Sequence, residues 1–229
     1  PFVGFENYQR AFEDGRFWTS ALNTLIYALI SVPGALVVGL GLALLANRPY
    51  RVKWPVRLGL LLPWALPTTV MALGWRWLLN DPYGPVNGWI QWLGGRSYGF
   101  LSTPTTTWLF TVLADVWKTT PFVALLLLAG LQGISADLYE AAELDGSEGW
   151  RKHLDITLPL LRPYVTLVAV ISAIAATKVF EEVYLMTQGG PADATKTLVY
   201  YVYDQAFAEL EISYACTVGL ALFVIVLLL

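Results

Sequence analysis

From Ala21 to Ala46 the chain carries no charged side chain. A helix of that length covers the ~30 Å of hydrocarbon in a bilayer, where only helices or closed barrels satisfy every backbone polar group. The run therefore fixes the class before any other feature: an all-α polytopic helical membrane protein. Further apolar runs at about 56–79, 105–131 and 160–187, and another from Tyr214 onward, bring the expected spans to five. Composition agrees, because 56% of the 229 residues are hydrophobic and 14% charged, at a mean hydropathy of +0.56, values foreign to a soluble domain. A net charge of -3 without a basic run excludes a nucleic-acid footprint. The single cysteine, Cys216, excludes an intramolecular disulfide and a cysteine-built metal centre.

Basic residues orient the spans. Arg48, Arg51 and Lys53, with Arg57 just beyond, place the loop at 47–55 inside, and Arg151, Lys152 and His153 do the same for 133–158. The segments 81–104 and 188–212 then fall outside, where Trp89 and Trp92 suit an interfacial aromatic belt. Pro1 to Ser20 alternates charged residues with Phe5, Tyr8, Phe12, Phe17 and Trp18, as expected of a stretch lying on the membrane surface. Gly34, Gly39 and Gly41 mark close helix contacts, while Pro33 predicts a kink and Pro63 with Pro67 a bend. Beginning at Pro1 and stopping within an apolar run at Leu229, the chain reads as one transmembrane domain, 1–229, cut at both ends, with five spans visible of six or more.

The loop at 133–158 holds a short helix. Asp137 with Glu140 three residues on reads as a capping box, and Gly146 as a left-handed stop. Leu138, Ala141, Ala142 and Asp145 share one small, mostly apolar face suited to docking. After it, Trp150 and Leu154 stack one turn apart, and Pro159 and Pro163 lead into the next span.

Glu140-Ala141-Ala142, three residues, Gly146, nine residues, then Ile156-x-Leu158-Pro159 resembles the cytoplasmic loop of permease subunits of binding-protein-dependent ATP-binding cassette importers. Thr187-Gln188-Gly189-Gly190-Pro191, with Thr195-x-Thr197-Leu198, Tyr201-x-Tyr203 and Ala206-Phe207, is similar to the external segment of carbohydrate permeases of the maltose-transporter kind, as are Pro63-Trp64 with Pro67 and Trp117-x-x-x-Pro121. The resemblance implies the importer permease fold in a bacterial or archaeal inner membrane. It makes residues 137–149 a coupling helix for a separate ATPase, with Glu140, Ala141, Ala142 and Gly146 as contact residues. It also implies a second permease subunit, two ATPase subunits that bind ATP and Mg, and an extracytoplasmic solute-binding protein that delivers a sugar. The chain itself would sit in membrane lipid, bind no cofactor or metal, and catalyse nothing. Glycerol phosphate or another small polar solute is an alternative cargo, and an ion-coupled secondary transporter using Asp115 an alternative class.

Residue chemistry supports the absence of catalysis, since no phosphate-binding Gly-rich loop, Glu-x-x-His or Gly-x-Ser-x-Gly motif occurs and His153 is the sole histidine. Ionisable residues inside spans are costly and mark function unless paired. Asp115 and Lys118 either pair at i, i+3 or line a polar path; Lys178, Glu181 and Glu182 either pair across a turn or do likewise. A cavity between the spans flanking the coupling loop would be lined by Lys118, Thr119, Phe122, Ser172, Ala176 and Val179; the alternative is tight packing on Ser172, Ala173, Ala175 and Ala176.

Overall fold

The computed structural model describes residues 3–47, 61–144, 147 and 149–228, and among these no strand occurs. The helices are α1 (Glu6–Glu13), α2 (Gly15–Ala46), α3 (Thr68–Leu78), α4 (Pro85–Trp92), α5 (Pro104–Gln132), α6 (Ala136–Leu144), α7 (Trp150–Lys152), α8 (Leu158–Thr177), α9 (Glu181–Met186), α10 (Leu198–Tyr203) and α11 (Ile212–Leu227). Wider π turns occupy His153–Thr157 and Asp204–Ala208. Among the described residues three helices are long and apolar enough to cross a membrane, Gly15–Ala46, Pro104–Gln132 and His153–Thr177, and Ile212–Leu227 is apolar but shorter. The basic loop that oriented the first two expected spans lies outside the described residues.

Proline placement accounts for the second expected span, where residues 61–65 are helical and Pro67, at φ -55° and ψ 137°, interrupts the winding before α3. The fourth expected span differs from the sequence reading. It stops at Thr177 and resumes only at Glu181, because Phe180 adopts φ -138°, ψ -58°. The Val179 carbonyl accepts a hydrogen bond from Thr197 Oγ1 at 3.0 Å instead of from a helical amide. Lys178 and Glu182 thus do not share a helical turn.

The chain divides into two compact units. One comprises Val32–Ala65 and Val116–Ser172. Its core packs Ala35, Ala43 and Ala46 of α2 against Val123, Leu127, Leu128 and Leu131 of α5 and Leu161 and Val168 of α8. Glycine makes this approach possible: a Cβ at Gly39 would stand 2.6 Å from Val123 Cγ1, and one at Gly130 would stand 2.7 Å from the Tyr164 ring. Gly34 is close to Val116 as well, but Gly41 faces open space.

The other unit comprises Pro1–Ser31, Leu66–Asp115 and Ala173–Leu229, and long-range polar bonds join its segments beside two apolar clusters, one around Phe17, Leu198 and Val218 and one around Met71, Phe100 and Met186. Buried Asn87 ties its loop by donating to the Asp81 and Tyr98 carbonyls at 3.1 and 3.0 Å and accepting from the Tyr98 amide. Trp108 Nε1 donates to the Ala194 carbonyl at 2.7 Å, and Thr24 Oγ1 accepts from the Leu198 amide at 2.8 Å. Asp14 accepts from the hydroxyls of Tyr201 and Tyr214, while Arg10 pairs with Glu211 and Arg16 with Glu209. Burial pushes the Asp14 carboxyl up, but the two tyrosine hydroxyls and the Arg16 amide outweigh it and hold the group below the usual carboxylate range. One face of α1 is therefore anchored. Phe5, Tyr8 and Phe12 are exposed on the other, the pattern expected of a membrane-surface helix.

Candidate functional site

α6 begins two residues earlier than its sequence suggests. Ser135 precedes it and its Oγ accepts the Asp137 amide at 3.3 Å, so Ser135, not Asp137, supplies the capping oxygen. The exposed stripe also differs from the expected one. Asp137, Glu140, Ala141 and Leu144 stand at i, i+3, i+4 and i+7 facing outward, with Leu144 at 90% exposure, whereas Ala142 turns inward at 8%. Leu138 is exposed beside the stripe. Asp145 and Gly146, and the side chain of Trp150 with its expected stacking on Leu154, lie outside the described residues.

The inward side of α6 is fastened to the π turn that leads into α8. Tyr139 OH and Thr157 Oγ1 are 3.0 Å apart, His153 Nδ1 lies 3.2 Å from the same oxygen, and Thr157 is 1% exposed. A hydroxyl can donate once and accept twice, so Thr157 serves both partners in either tautomer of the imidazole. His153 is half-buried in this node and is not the surface residue that a lone imidazole in a basic loop suggests. Ser147 Oγ donates to Asp155 at 2.8 Å and closes the loop between the two.

The six expected pathway residues fall in both units. Lys118, Thr119 and Phe122 on α5 and Ser172 on α8 are half-buried in the apolar unit, while Ala176 and Val179 are each 7% exposed in the polar one. Phe122 has a neighbour the sequence reading did not tie to it: the Trp64 ring stacks on it at 5.7 Å and 16° and keeps 49% of its own surface open. Only the motif Pro63-Trp64 hinted at that. Among the described residues no group of three His, Cys, Asp or Glu side chains could hold a metal ion.

Residues 11–229 match the family described as the binding-protein-dependent transport system inner membrane component. The chain belongs to that family. This permease is 42% identical over 222 residues to the sulfoquinovosyl glycerol transport system permease protein SmoG of Agrobacterium fabrum, a match that covers 97% of the chain and 72% of SmoG. It is 41% identical over 198 residues to the trehalose/maltose transport system permease protein MalF of Thermococcus litoralis, covering 86% and 67%. Among solved structures, a bacterial ABC transporter that imports the acidic polysaccharide alginate superposes at a TM-score of 0.89 with 25% identity, over 100% of this permease and 81% of that chain. The permease is a multi-pass inner-membrane transport subunit and not a catalytic enzyme. Membership of this family, with ABC transporter permeases among the relatives, disfavours the ion-coupled secondary transporter.

Proposed function

We propose that this permease forms one half of the translocation pathway of an ATP-driven sugar importer. The observation that carries the reading is α6, a short helix whose Asp137, Glu140, Ala141 and Leu144 face outward while Tyr139 fastens its other side to Thr157. A stripe with two carboxylates and two apolar side chains fits an ATPase cleft, and the bond to Thr157 passes its displacement to α8. On this reading loops 47–55 and 133–158 are inside, and 81–104 and 188–212 outside. Partners are a second permease subunit, two ATPase subunits carrying ATP and Mg, and an extracytoplasmic binding protein. The names of SmoG and MalF favour a sugar over glycerol phosphate. Lys118, Thr119, Phe122, Ser172, Ala176 and Val179 remain the proposed pathway residues, with Trp64 added because it widens the aromatic face of Phe122. Rocking of helices around a central site would then move the cargo.

Two measurements on the assembled complex test this. Ala141→Glu and Leu144→Asp should reduce sugar-stimulated ATP hydrolysis at least tenfold, roughly the 1.4 kcal/mol lost at one contact, without lowering the yield of inserted permease. Full stimulation in both variants would refute the coupling role. Uptake of trehalose, maltose, sulfoquinovosyl glycerol and glycerol 3-phosphate, compared side by side, decides the cargo class; transport of glycerol 3-phosphate alone would overturn the sugar.

A further inference from the structure

Where the fourth expected span is interrupted, aromatic rings gather. Phe180 stacks on Tyr184 at 5.2 Å and 21° and approaches Tyr203 at 5.2 Å, and Tyr184 lies 5.2 Å from Tyr203 edge-on. Tyr200 lies 6.3 Å from Tyr203 at 22°, and Phe207 extends the group at 5.2 Å from Tyr203. The cluster is not closed. Tyr200 is buried at 7%, Phe180, Tyr184 and Tyr203 are half-buried, and Phe207 is 70% exposed. Its edge is polar, with the Tyr184 and Tyr203 hydroxyls 3.5 Å apart. Lys196 Nζ lies 5.5 Å from the centroid of the Tyr200 ring and is fixed by Asp204 at 2.6 Å and Asp193 at 2.9 Å. All of these residues belong to one compact unit.

We infer that Phe180, Tyr184, Tyr203 and Phe207, none of them among the pathway residues named above, form a stacking site for a pyranose ring, with Asp204 and the tyrosine hydroxyls reaching the sugar's hydroxyl groups. A purely structural cluster would bury its rings, whereas here three are half-buried and Phe207 is open. A pyranose presents the opposite combination, C–H groups of partial positive charge on its face and hydroxyls around its rim. Aromatic faces carry negative charge density and attract the first, and hydroxyls and carboxylate bind the second. Apolar walls with a few placed polar groups are the usual make-up of a small-molecule site. Tyr203 and Phe207 stand in a segment expected outside, and Phe180 and Tyr184 toward the outer end of the fourth expected span. The inference rests on the sugar reading above.

The test uses the assembled importer without its binding protein and whichever of trehalose, maltose and sulfoquinovosyl glycerol the wild-type complex takes up. The dissociation constant is read from saturation-transfer NMR of the sugar C–H protons. Tyr203→Phe keeps the ring and should stay within about twofold of wild type, whereas Tyr203→Leu keeps bulk without the ring and should weaken binding about fivefold. Phe207→Leu, at a side chain too exposed to support packing, should weaken it about threefold. Unchanged binding in both leucine variants, or no transfer to a sugar that the complex transports, overturns the site. If the complex transports none of the three sugars, the sugar reading itself fails.

Discussion

The two compact units keep their shape by different means. In the unit with α1, α10 and α11, direction is added to two apolar clusters: the hydroxyl of Tyr214 reaches Asp14 across 200 residues of chain, and Asn23 donates to the Lys196 carbonyl across 173. In the unit with the alanine-lined half of α2 and α5, volume dominates, and helices approach to the limit set by Gly39 and Gly130. A hydrogen bond specifies an angle but tolerates modest changes of side-chain size, whereas a glycine contact tolerates no added carbon and specifies no angle. The unit that carries α6 is built on the second principle, which would suit the coupling role proposed for it.

The strongest challenge to this contrast is a change of size in the apolar unit. Gly39→Leu and Gly130→Leu should each destabilise the detergent-solubilised permease by about 3 kcal/mol, seen as a lowered melting temperature, because the new side chain collides with Val123 or with Tyr164 and Leu161. Tolerance at both positions would mean that volume does not hold this unit.

A smaller loss is expected in the other unit from removing one acceptor. Asp14→Ala leaves the hydroxyls of Tyr201 and Tyr214 without their shared carboxylate and should cost about 2 kcal/mol. Acid should act the same way. The folded-state Asp14 carboxyl sits below its ordinary value, as does Glu209 through its bond to Arg16. Their contribution is therefore complete above the unfolded pKa of about 4 and is lost as the pH falls through the lower folded value. Melting curves between pH 7 and pH 2.5 should show this loss, and Asp14→Asn should flatten it.

The smallest effect sharpens the comparison. Arg16 and Glu209 are 52% and 37% exposed at the side chain, so a double-mutant cycle between alanine variants should return a coupling of only about 0.5 kcal/mol, reduced further by salt. A coupling several times larger would show that the bonds around the α1–α2 junction act as one network rather than as a half-buried carboxylate with peripheral pairs.

Runs of apolar residues made the spans legible, because hydropathy over twenty residues reports burial in lipid wherever neighbouring helices stand. Gly34 and Gly39 were legible too, since small residues in a span mark close helix contacts, although the same signal misled at Gly41. The break at residues 178–180 was not, as it depends on Thr197 arriving to bond the Val179 carbonyl. Nor was the pairing of Trp64 with Phe122, which depends on which helices are neighbours. At α6 the motif located the helix, but its period alone could not distinguish Ala142 turned inward from Leu144 turned outward. That choice is made by the bond from Tyr139 to Thr157.

The π turn at His153–Thr157 has a consequence for the rotational phase of the span that follows. A π turn takes up one residue more than an α turn, and one residue is about 100° of rotation in an α-helix. Were the winding unbroken from Trp150, every side chain of α8 would be turned by that angle, carrying Leu161 and Val168 away from the core in which both are fully buried. Lipid would accept the rotated helix as readily as the present one, since Leu160 and Leu167 already face outward. The surplus residue is therefore what indexes this span, and shortening 153–157 by one residue disturbs the faces of α8 less than shortening α8 itself.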